Sequence, residues 1–222
     1  MSNIITIAYT TEGATDQRFL ESIIRKTFEE VALTCKGEIE VFDPVYIELK
    51  KNMNFIENIK NLAITALNIG INVFCIHADS DNISDEHVFK HKIVPAVQAV
   101  NTLPVDKACN NLVAIVPVRM SEAWMLADTD LLKEEFNTTK TDSELFININ
   151  PETIADPKAV IEKALQLAQD HLPQRRNRII IGELYQPLGQ KIQLNKLEQL
   201  SSFKKFKLSV EDAFRKLNYL ST

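Results

Sequence analysis

The sequence has no long apolar run, no paired cysteine pattern and no leader-like start. No stretch approaches the roughly 18 consecutive apolar residues that a membrane-spanning helix needs, and the first residues lack the basic and apolar regions of a signal peptide. The three cysteines, Cys35, Cys75 and Cys109, are odd in number and widely separated, so their spacing fits neither a disulfide framework nor a zinc site. These absences predict a cytoplasmic protein that does not bind membranes.

The sequence also contains none of the common glycine-rich catalytic motifs. It has only five glycines, and they form no GxxxxGK(S/T) loop, no GxSxG elbow and no GxGxxG turn. This argues against a P-loop nucleotide hydrolase, an α/β-hydrolase and a dinucleotide-binding enzyme. The net charge of −5 argues against a protein that coats nucleic acid over its whole surface, although a local basic groove is compatible with it.

Predicted strands and helices alternate over the first 130 residues. This pattern is typical of an α/β fold in which helices flank a parallel sheet. The four predicted strands are apolar runs at residues 4–9, 39–49, 71–76 and 112–116. Asp43 and Pro44 interrupt the second run, which predicts either an edge strand or two short strands.

Helical spacing of apolar residues predicts helices between and after these strands. They span about residues 16–32, 54–68, 84–100, 158–171 and 210–220. Thr15 is the predicted N-cap of the first helix, and Ser121 that of a further short helix after the fourth strand. Gly70 is a predicted helix terminator and Pro95 a predicted kink or break. The alternation stops after residue 130. We therefore predict an α/β core over residues 1–130 and a mainly helical C-terminal extension over residues 131–222 that packs on it.

Acidic residues follow two of the predicted strands directly. Glu12 comes after the first strand, and Asp79 and Asp81 come after the third. Because the carboxyl ends of parallel strands meet at one edge of an open sheet, we expect these side chains to lie close together. Grouped carboxylates repel one another unless a cation neutralises them, and such oxygen ligands suit Mg²⁺ or Mn²⁺. The alternative is turn chemistry, since aspartates after a strand often bond to nearby backbone.

Three segments give the chain a resemblance to a known family. They are Glu12-Gly13-Ala14-Thr15-Asp16 after the first strand, Asp79-Ser80-Asp81 after the third, and Glu122-Ala123-Trp124 after the fourth. A strand that ends in Glu-Gly, followed by a strand that ends in Asp-x-Asp, resembles the Toprim domain of topoisomerases, primases and OLD-type nucleases. The whole chain resembles a Toprim-like family of uncharacterised proteins related to the OLD nucleases, and residues 1–130 carry the resemblance.

The resemblance implies a Toprim-like parallel sheet of about four strands and a metal-dependent phosphoryl-transfer activity, most simply that of a nuclease. It implies that Asp79 and Asp81 hold Mg²⁺ or Mn²⁺. It further implies that Glu12 is a metal ligand or a general acid/base, and that Asp16 is a supporting or second-metal ligand. OLD-type proteins often join Toprim to an ATPase domain, which this chain lacks. The resemblance therefore allows a separate ATPase partner, as in phage-defence modules.

Two residues after the fourth strand are further candidates for the same site. Glu122 can act as an additional acidic catalytic group, or it can simply complement the first turn of its helix. Arg119 can grip a phosphate or orient a carboxylate, and a structural salt bridge is the alternative. Both residues follow a strand end, where catalytic groups collect in α/β folds.

Basic clusters are the candidate nucleic-acid contacts. Lys50 and Lys51 follow the second strand, and Arg175 and Arg176 belong to a basic run in the C-terminal part. A charge run is usually a solvated face, but Lys50 and Lys51 are expected at the same sheet edge as the acidic residues. His77 precedes the acidic turn; we expect it to pack and assign it no role.

Three functions are compatible with these residues. The first is a Mg²⁺- or Mn²⁺-dependent nuclease that acts on DNA or RNA. The second is a non-catalytic Toprim-like interaction module whose carboxylates form turns. The third is a phosphatase that acts on small phosphate esters. A homo-oligomer is compatible with each of them.

Overall fold

The structure is a computed structural model that describes residues 3–170 and 178–220. Its strands are β1 (Asn3–Ile5), β2 (Ile7–Thr10), β3 (Ile39–Val41), β4 (Val45–Tyr46), β5 (Val73–His77) and β6 (Leu112–Ile115). Its α-helices are α1 (Ala14–Ala32), α2 (Phe55–Asn68), α3 (Glu86–Val88), α4 (Val94–Asn101), α5 (Ser121–Met125), α6 (Thr129–Glu135), α7 (Asp142–Leu145), α8 (Pro157–Ala168), α9 (Tyr185–Lys191), α10 (Leu194–Leu197) and α11 (Ser201–Lys216). Within these two ranges, none of the helices is long and apolar enough to cross a membrane.

All strand pairs are parallel, as the alternation of strands and helices predicts. The four-stranded sheet has the order β4-β2-β5-β6, and β1 pairs with β3. The register places Thr10 beside Ile76 and His77 beside Ile115. The carboxyl ends of β2, β5 and β6 therefore meet at one edge of the sheet.

The second predicted strand is divided into two short strands. Asp43 and Pro44 lie between β3 and β4, so of the two predicted alternatives the structure has two short strands, and β4 is also at the edge of its sheet. Proline has no N–H to contribute to a strand ladder, which explains why pairing stops there. β3 pairs with β1 before the break, and β4 pairs with β2 after it.

Side chains alternate between the two faces of the sheet and form two hydrophobic clusters. On β2, Ile7 and Tyr9 belong to the larger cluster, whereas Ala8 belongs to the smaller one. Helices α1, α5, α8, α9 and α11 contribute to the larger cluster, and α2 and α4 contribute to the smaller one. The result is a Rossmann-like α/β fold with helices on both faces, which confirms the predicted fold class.

The helix after β2 begins earlier than predicted. α1 starts at Ala14, and Gly13 occupies the N-cap position in an extended conformation. The predicted N-cap, Thr15, is therefore wrong, because it already lies within the first helical turn. The backbone can enter the helix at glycine without a side-chain cap.

The helical segment over residues 86–101 continues through its proline. A π-helical turn at Phe89–Ile93 joins α3 to α4 immediately before Pro95. The missing N–H of proline disrupts regular α-helical bonding, and the wider π turn accommodates it. Of the kink or break predicted at Pro95, the break is wrong, because the helical segment continues through a local change of helix type. Gly70 has a φ of +79° after the end of α2, and its predicted role in ending that helix is confirmed.

The C-terminal helices pack against the same face of the sheet as α1. α9 approaches α1 so closely that a Cβ at Gly189 would lie 2.3 Å from the carbonyl oxygen of Phe19. α11 covers β6, and the Asn111 amide donates to the Ala213 carbonyl at 3.0 Å. Residues on both sides of position 130 share the larger hydrophobic cluster. The division into two domains stays a prediction.

Candidate metal centre

Asp16, His77 and Asp79 come together at the carboxyl edge of the sheet. One carboxylate oxygen from each aspartate and one ring nitrogen of His77 lie within 4.8 Å of one another. Asp16 and His77 are buried, while Asp79 keeps 18% of its side chain exposed. The three side chains therefore form a compact group of possible ligand atoms that solvent reaches through Asp79.

The fold brings these residues together from distant parts of the sequence. His77 is the last residue of β5, and Asp79 lies two positions further along the chain. Asp16 lies in the first turn of α1, which follows β2, and β2 pairs directly with β5. The strand pairing is what places an aspartate from each segment at the same point.

Ser121 connects the two aspartates. Its N–H donates to Asp79 Oδ1 at 3.1 Å, and its hydroxyl donates to Asp16 Oδ1 in a short hydrogen bond. Met120 occupies the N-cap position of α5, so the predicted N-cap role of Ser121 is wrong. Its hydroxyl is used to orient a buried carboxylate instead of capping its own helix.

Gly13 lets the backbone pass close to the Asp16 carboxylate. A Cβ at position 13 would lie 3.0 Å from Asp16 Oδ2, which is tighter than ordinary van der Waals contact. The hydroxyl of Thr11 donates to the Gly13 carbonyl at 2.8 Å and stabilises this turn. A side chain at position 13 would therefore press on a candidate ligand.

The acidic turn after β5 separates its two aspartates. Asp81 is exposed, has a φ of +51° and does not belong to the group formed by Asp16, His77 and Asp79. Its N–H donates to the Arg119 carbonyl at 2.8 Å. Aspartate tolerates this left-handed conformation better than most residues, as the turn alternative expects, and the role of Asp81 as a metal ligand stays a prediction.

Arg119 lies against the same turn. Its φ is +67°, and its N–H donates to the Ser80 hydroxyl at 2.7 Å. Within the described ranges, the Nε of Arg119 is buried without a hydrogen-bond partner. A left-handed backbone at a residue other than glycine is uncommon, and such positions cluster at functional sites. The predicted contact between Arg119 and a phosphate stays a prediction.

Glu12 borders the group of three and is paired with a lysine. Lys92 Nζ lies 2.8 Å from Glu12 Oε1 and 5.7 Å from the centre of the Phe55 ring. The Glu12 carboxylate is close enough to act on the pKa of Asp16. Lys92 thus compensates the charge of Glu12 at the outer side of the candidate metal centre.

Glu122 is buried beside the group, where it accepts a short hydrogen bond from the Tyr185 hydroxyl. Burial raises the pKa of Glu122, although the bond from Tyr185 opposes the shift. The charges of Asp16 and Asp79 raise the pKa further. Burial, followed by the contact with Glu122, likewise raises the pKa of Tyr185. The predicted catalytic role of Glu122 stays a prediction.

The charges of the group act on one another. Burial raises the pKa of Asp16, and the carboxylates of Asp79 and Glu12 act in the same direction. The imidazole of His77 and the hydroxyl of Ser121 oppose this shift without cancelling it. Burial lowers the pKa of His77, but the carboxylates around the ring outweigh burial and raise it overall. The site therefore has an excess of negative charge that a cation would neutralise.

A groove of about 640 Å³ adjoins the candidate metal centre. Glu12, Lys50, Lys51 and Phe55 are among the residues that line it. Asn58 anchors the wall that carries the lysines, because its side chain accepts from the Lys50 N–H and donates to the Lys50 carbonyl, both at 2.9 Å. Lys50 and Lys51 are exposed at the acidic edge of the sheet, where the sequence predicts them. Their contact with nucleic acid stays a prediction.

The other two predicted nucleic-acid contacts, Arg175 and Arg176, lie outside the described residues. A second cavity, of about 440 Å³, lies near Thr129, Asn150 and Lys196. Its lining includes no member of the candidate metal centre. The groove beside Glu12 is lined by Gly13, where a Cβ would lie 3.0 Å from Asp16 Oδ2, and is therefore the cavity that bears on the function of the acidic edge.

The donor set fits a divalent cation. Two carboxylates and one imidazole supply oxygen and nitrogen ligands, and among the described residues neither nitrogen of His77 has a hydrogen-bond partner. His77 is the functional candidate that sequence reasoning missed. The signal was its spacing from Asp79, since residues two apart in an extended chain point to the same side.

A family model described as "Domain of unknown function (DUF4276)" matches residues 11–210. The chain belongs to the DUF4276 family. The match runs from the turn after β2 into α11 and so includes the whole candidate metal centre. No curated protein and no solved structure matches the chain. The chemistry of the candidate metal centre is therefore what bears on the activity of this DUF4276 protein.

Proposed function

We propose that this DUF4276 protein is a divalent-metal-dependent phosphoryl-transfer enzyme whose substrate is a nucleic-acid phosphodiester. The observation that carries the proposal is the convergence of Asp16, His77 and Asp79 beside a groove lined by Lys50 and Lys51. A metal-dependent nuclease needs a cation at the scissile phosphate and positive side chains for the flanking phosphates. The acidic group and the adjoining lysines supply positions for both.

Each group has a role that its position allows. Mg²⁺ or Mn²⁺ held by Asp16 and Asp79 would polarise the phosphate and stabilise the charge that develops on it. In this proposal Glu12, which lines the groove, accepts a proton from an attacking water. Lys50 and Lys51 attract the phosphates that flank the reacting one. The N-terminus of α1 adds the positive end of a helix dipole at the same edge.

The Toprim-like form of this proposal is supported by the sequence resemblance. The Glu-Gly segment follows β2 and the Asp-x-Asp segment follows β5, and these two strands are neighbours in a parallel sheet. This is the arrangement that the resemblance implies. A separate ATPase partner and a place in a phage-defence module belong to the same proposal and follow from the resemblance alone.

A plasmid-nicking assay with Mg²⁺ or Mn²⁺ tests the proposal. The wild-type protein is expected to convert supercoiled plasmid to the nicked form, and EDTA is expected to stop it. Asp79→Asn is expected to lower the rate at least about 100-fold, since lost electrostatic stabilisation of a transition state commonly costs this much. Asp106→Asn, an exposed aspartate before β6, is the control purified in parallel.

Cleavage that persists unchanged in Asp79→Asn would exclude this site as the source of the activity. Charge reversal of both lysines, Lys50→Glu with Lys51→Glu, is expected to weaken binding of a labelled oligonucleotide more at low salt than at high salt. Hydrolysis of p-nitrophenyl phosphate without nicking would indicate a phosphatase for small phosphate esters. Failure of millimolar Mn²⁺ to bind in calorimetry would favour a non-catalytic interaction module.

A further inference from the structure

His77 is a fully buried polar group at the candidate metal centre, and among the described residues neither ring nitrogen has a hydrogen bond of normal geometry. Its side chain is 0% exposed, and within the described ranges neither Nδ1 nor Nε2 has a hydrogen-bond partner. Nearly all buried polar groups in native proteins are hydrogen-bonded, so an exception needs an explanation. The polar contact that comes closest to a hydrogen bond is with Asp79, whose Oδ1 lies 3.3 Å from Nε2 of His77.

An ion pair between His77 and Asp79 is the simplest structural explanation. It accounts for Nε2 but not for the second carboxylate, because an oxygen of Asp16 also lies within 4.8 Å of a ring nitrogen. Both carboxylates are held in place by Ser121, through its N–H on one side and its hydroxyl on the other. Two oriented carboxylates around an imidazole whose Nδ1 has no hydrogen-bond partner among the described residues are more than an ion pair requires.

The spacing of these atoms fits direct coordination of one ion. Two ligands at a right angle around an ion with bonds of about 2.2 Å lie about 3.1 Å apart. The 3.3 Å between Nε2 of His77 and Oδ1 of Asp79 is close to that value. The upper limit of 4.8 Å within the group allows Asp16 to reach the same ion. Small side-chain movements would therefore bring all three groups to a common centre.

We propose that His77 is a direct metal ligand and that the site selects a first-row transition-metal ion over Mg²⁺. This inference rests on the proposed function and narrows its cofactor. Mg²⁺ takes oxygen ligands and keeps its waters, whereas imidazole suits ions such as Fe²⁺ and Zn²⁺. At a mixed nitrogen and oxygen site, affinity rises from Mn²⁺ towards the later ions of the series. His77 is thus the residue that gives the site a higher affinity for these ions than for Mg²⁺.

Mn²⁺ is the probe for coordination, because its unpaired electrons report a directly bound nitrogen. The full-length protein with one equivalent of Mn²⁺ is expected to show a nitrogen coupling in electron spin-echo envelope modulation. Isotope-labelled histidine in the wild type is expected to shift that coupling, and this arm needs no substitution. His77→Asn is expected to lose the coupling, whereas His87→Asn, at an exposed position on α3, is expected to keep it.

Calorimetry with Mn²⁺, Zn²⁺ and Mg²⁺ as separate probes measures the selectivity. The wild type is expected to bind Mn²⁺ at least about tenfold more tightly than Mg²⁺, and His77→Asn is expected to move that ratio towards one. Bound Mn²⁺ without a nitrogen coupling in the wild type would overturn this inference and leave the proposed function standing. Absence of Mn²⁺ binding would overturn both.

Discussion

The metal-free protein is expected to become more stable when Asp16 loses its charge. Asp16→Asn keeps an oxygen that can accept from the Ser121 hydroxyl but removes the negative charge. Burial raises the pKa of Asp16, and the carboxylates of Asp79 and Glu12 raise it further, so the folded state disfavours the charged form. Thermal unfolding in EDTA at pH 8 is expected to give a higher Tm for the variant than for the wild type.

The size of the gain follows from the spacing of the charges. At 4.8 Å, the upper limit of the separation within the group, two like unit charges repel by about 3.5 kcal/mol at an effective dielectric constant of about 20. The imidazole of His77 and the hydroxyl of Ser121 offset part of this repulsion. A net gain of about 1–2 kcal/mol is typical of substitutions that relieve a strained site, and it corresponds to about 2–8 °C in Tm for a chain of this length.

The stability of Asp16→Asn relative to the wild type is expected to increase as the pH rises. Because the pKa of Asp16 is raised in the folded state, the wild type loses stability as the pH rises from the unfolded value of about 3.9 through the folded value. The pKa of His77 is also raised, because the surrounding carboxylates outweigh the opposing effect of burial. The stabilising charge of His77 is therefore fully present below about pH 6.5 and is lost as the pH rises through the folded pKa.

With Mn²⁺ bound, the wild type is expected to have a higher Tm than Asp16→Asn. Free metal at about 100 times its Kd stabilises the wild type by about 2.7 kcal/mol, or roughly 5–11 °C in Tm, and Asp16→Asn is expected to lose most of this gain. Asp106→Asn is the matched control, since the side chain of Asp106 is 75% exposed. Asp106 comes before the amino end of β6, whereas the candidate metal centre lies at the carboxyl ends of the strands. A lower Tm for Asp16→Asn than for the control in EDTA at pH 8 would refute the reasoning.

Two further substitutions test the packing around the site by urea unfolding and thermal melts. Tyr185→Phe removes the donor to buried Glu122 and is expected to cost about 1–3 kcal/mol at pH 8. The cost should be smaller near pH 4, where Glu122 is protonated, and a cost independent of pH would contradict this assignment. Gly189→Ala places a Cβ 2.3 Å from the Phe19 carbonyl oxygen and is expected to cost at least about 1–3 kcal/mol. Gly182→Ala, whose Cβ would meet only Ile180 at 3.9 Å, is the control, and equal costs would show that α1 and α9 move apart freely.

The fold follows from local patterns in the sequence to a large extent. Apolar runs and helical spacing predict most strands and helices of residues 3–130, and the order of these elements predicts a parallel sheet. They do not predict that the first run, residues 4–9, divides into β1 and β2 in separate sheets. The break at Pro44 was also predictable, because a missing N–H is a local property. The π-helical turn before Pro95 was not, since a wider turn and a break both relieve the same missing hydrogen bond.

The sequence predicts a residue of the site only where its position follows directly from the end of a strand. Asp79 follows β5, so its place at the carboxyl edge follows from the topology. The separation of Asp81 from the group depends on the conformation of one turn, in which Asp81 has a φ of +51° and is exposed. His77 ends β5, so its position follows from the topology as that of Asp79 does. The role of Ser121 depends on a contact with Asp16, a residue 105 positions away, and no local pattern encodes that contact.

The most direct test of the metal centre is anomalous diffraction from a crystal soaked in Mn²⁺. One strong peak is expected within about 2.0–2.3 Å of a carboxylate oxygen of Asp16, a carboxylate oxygen of Asp79 and a ring nitrogen of His77. A peak bound elsewhere on the protein, or an Asp16–His77–Asp79 group that holds no ion at millimolar Mn²⁺, would contradict it.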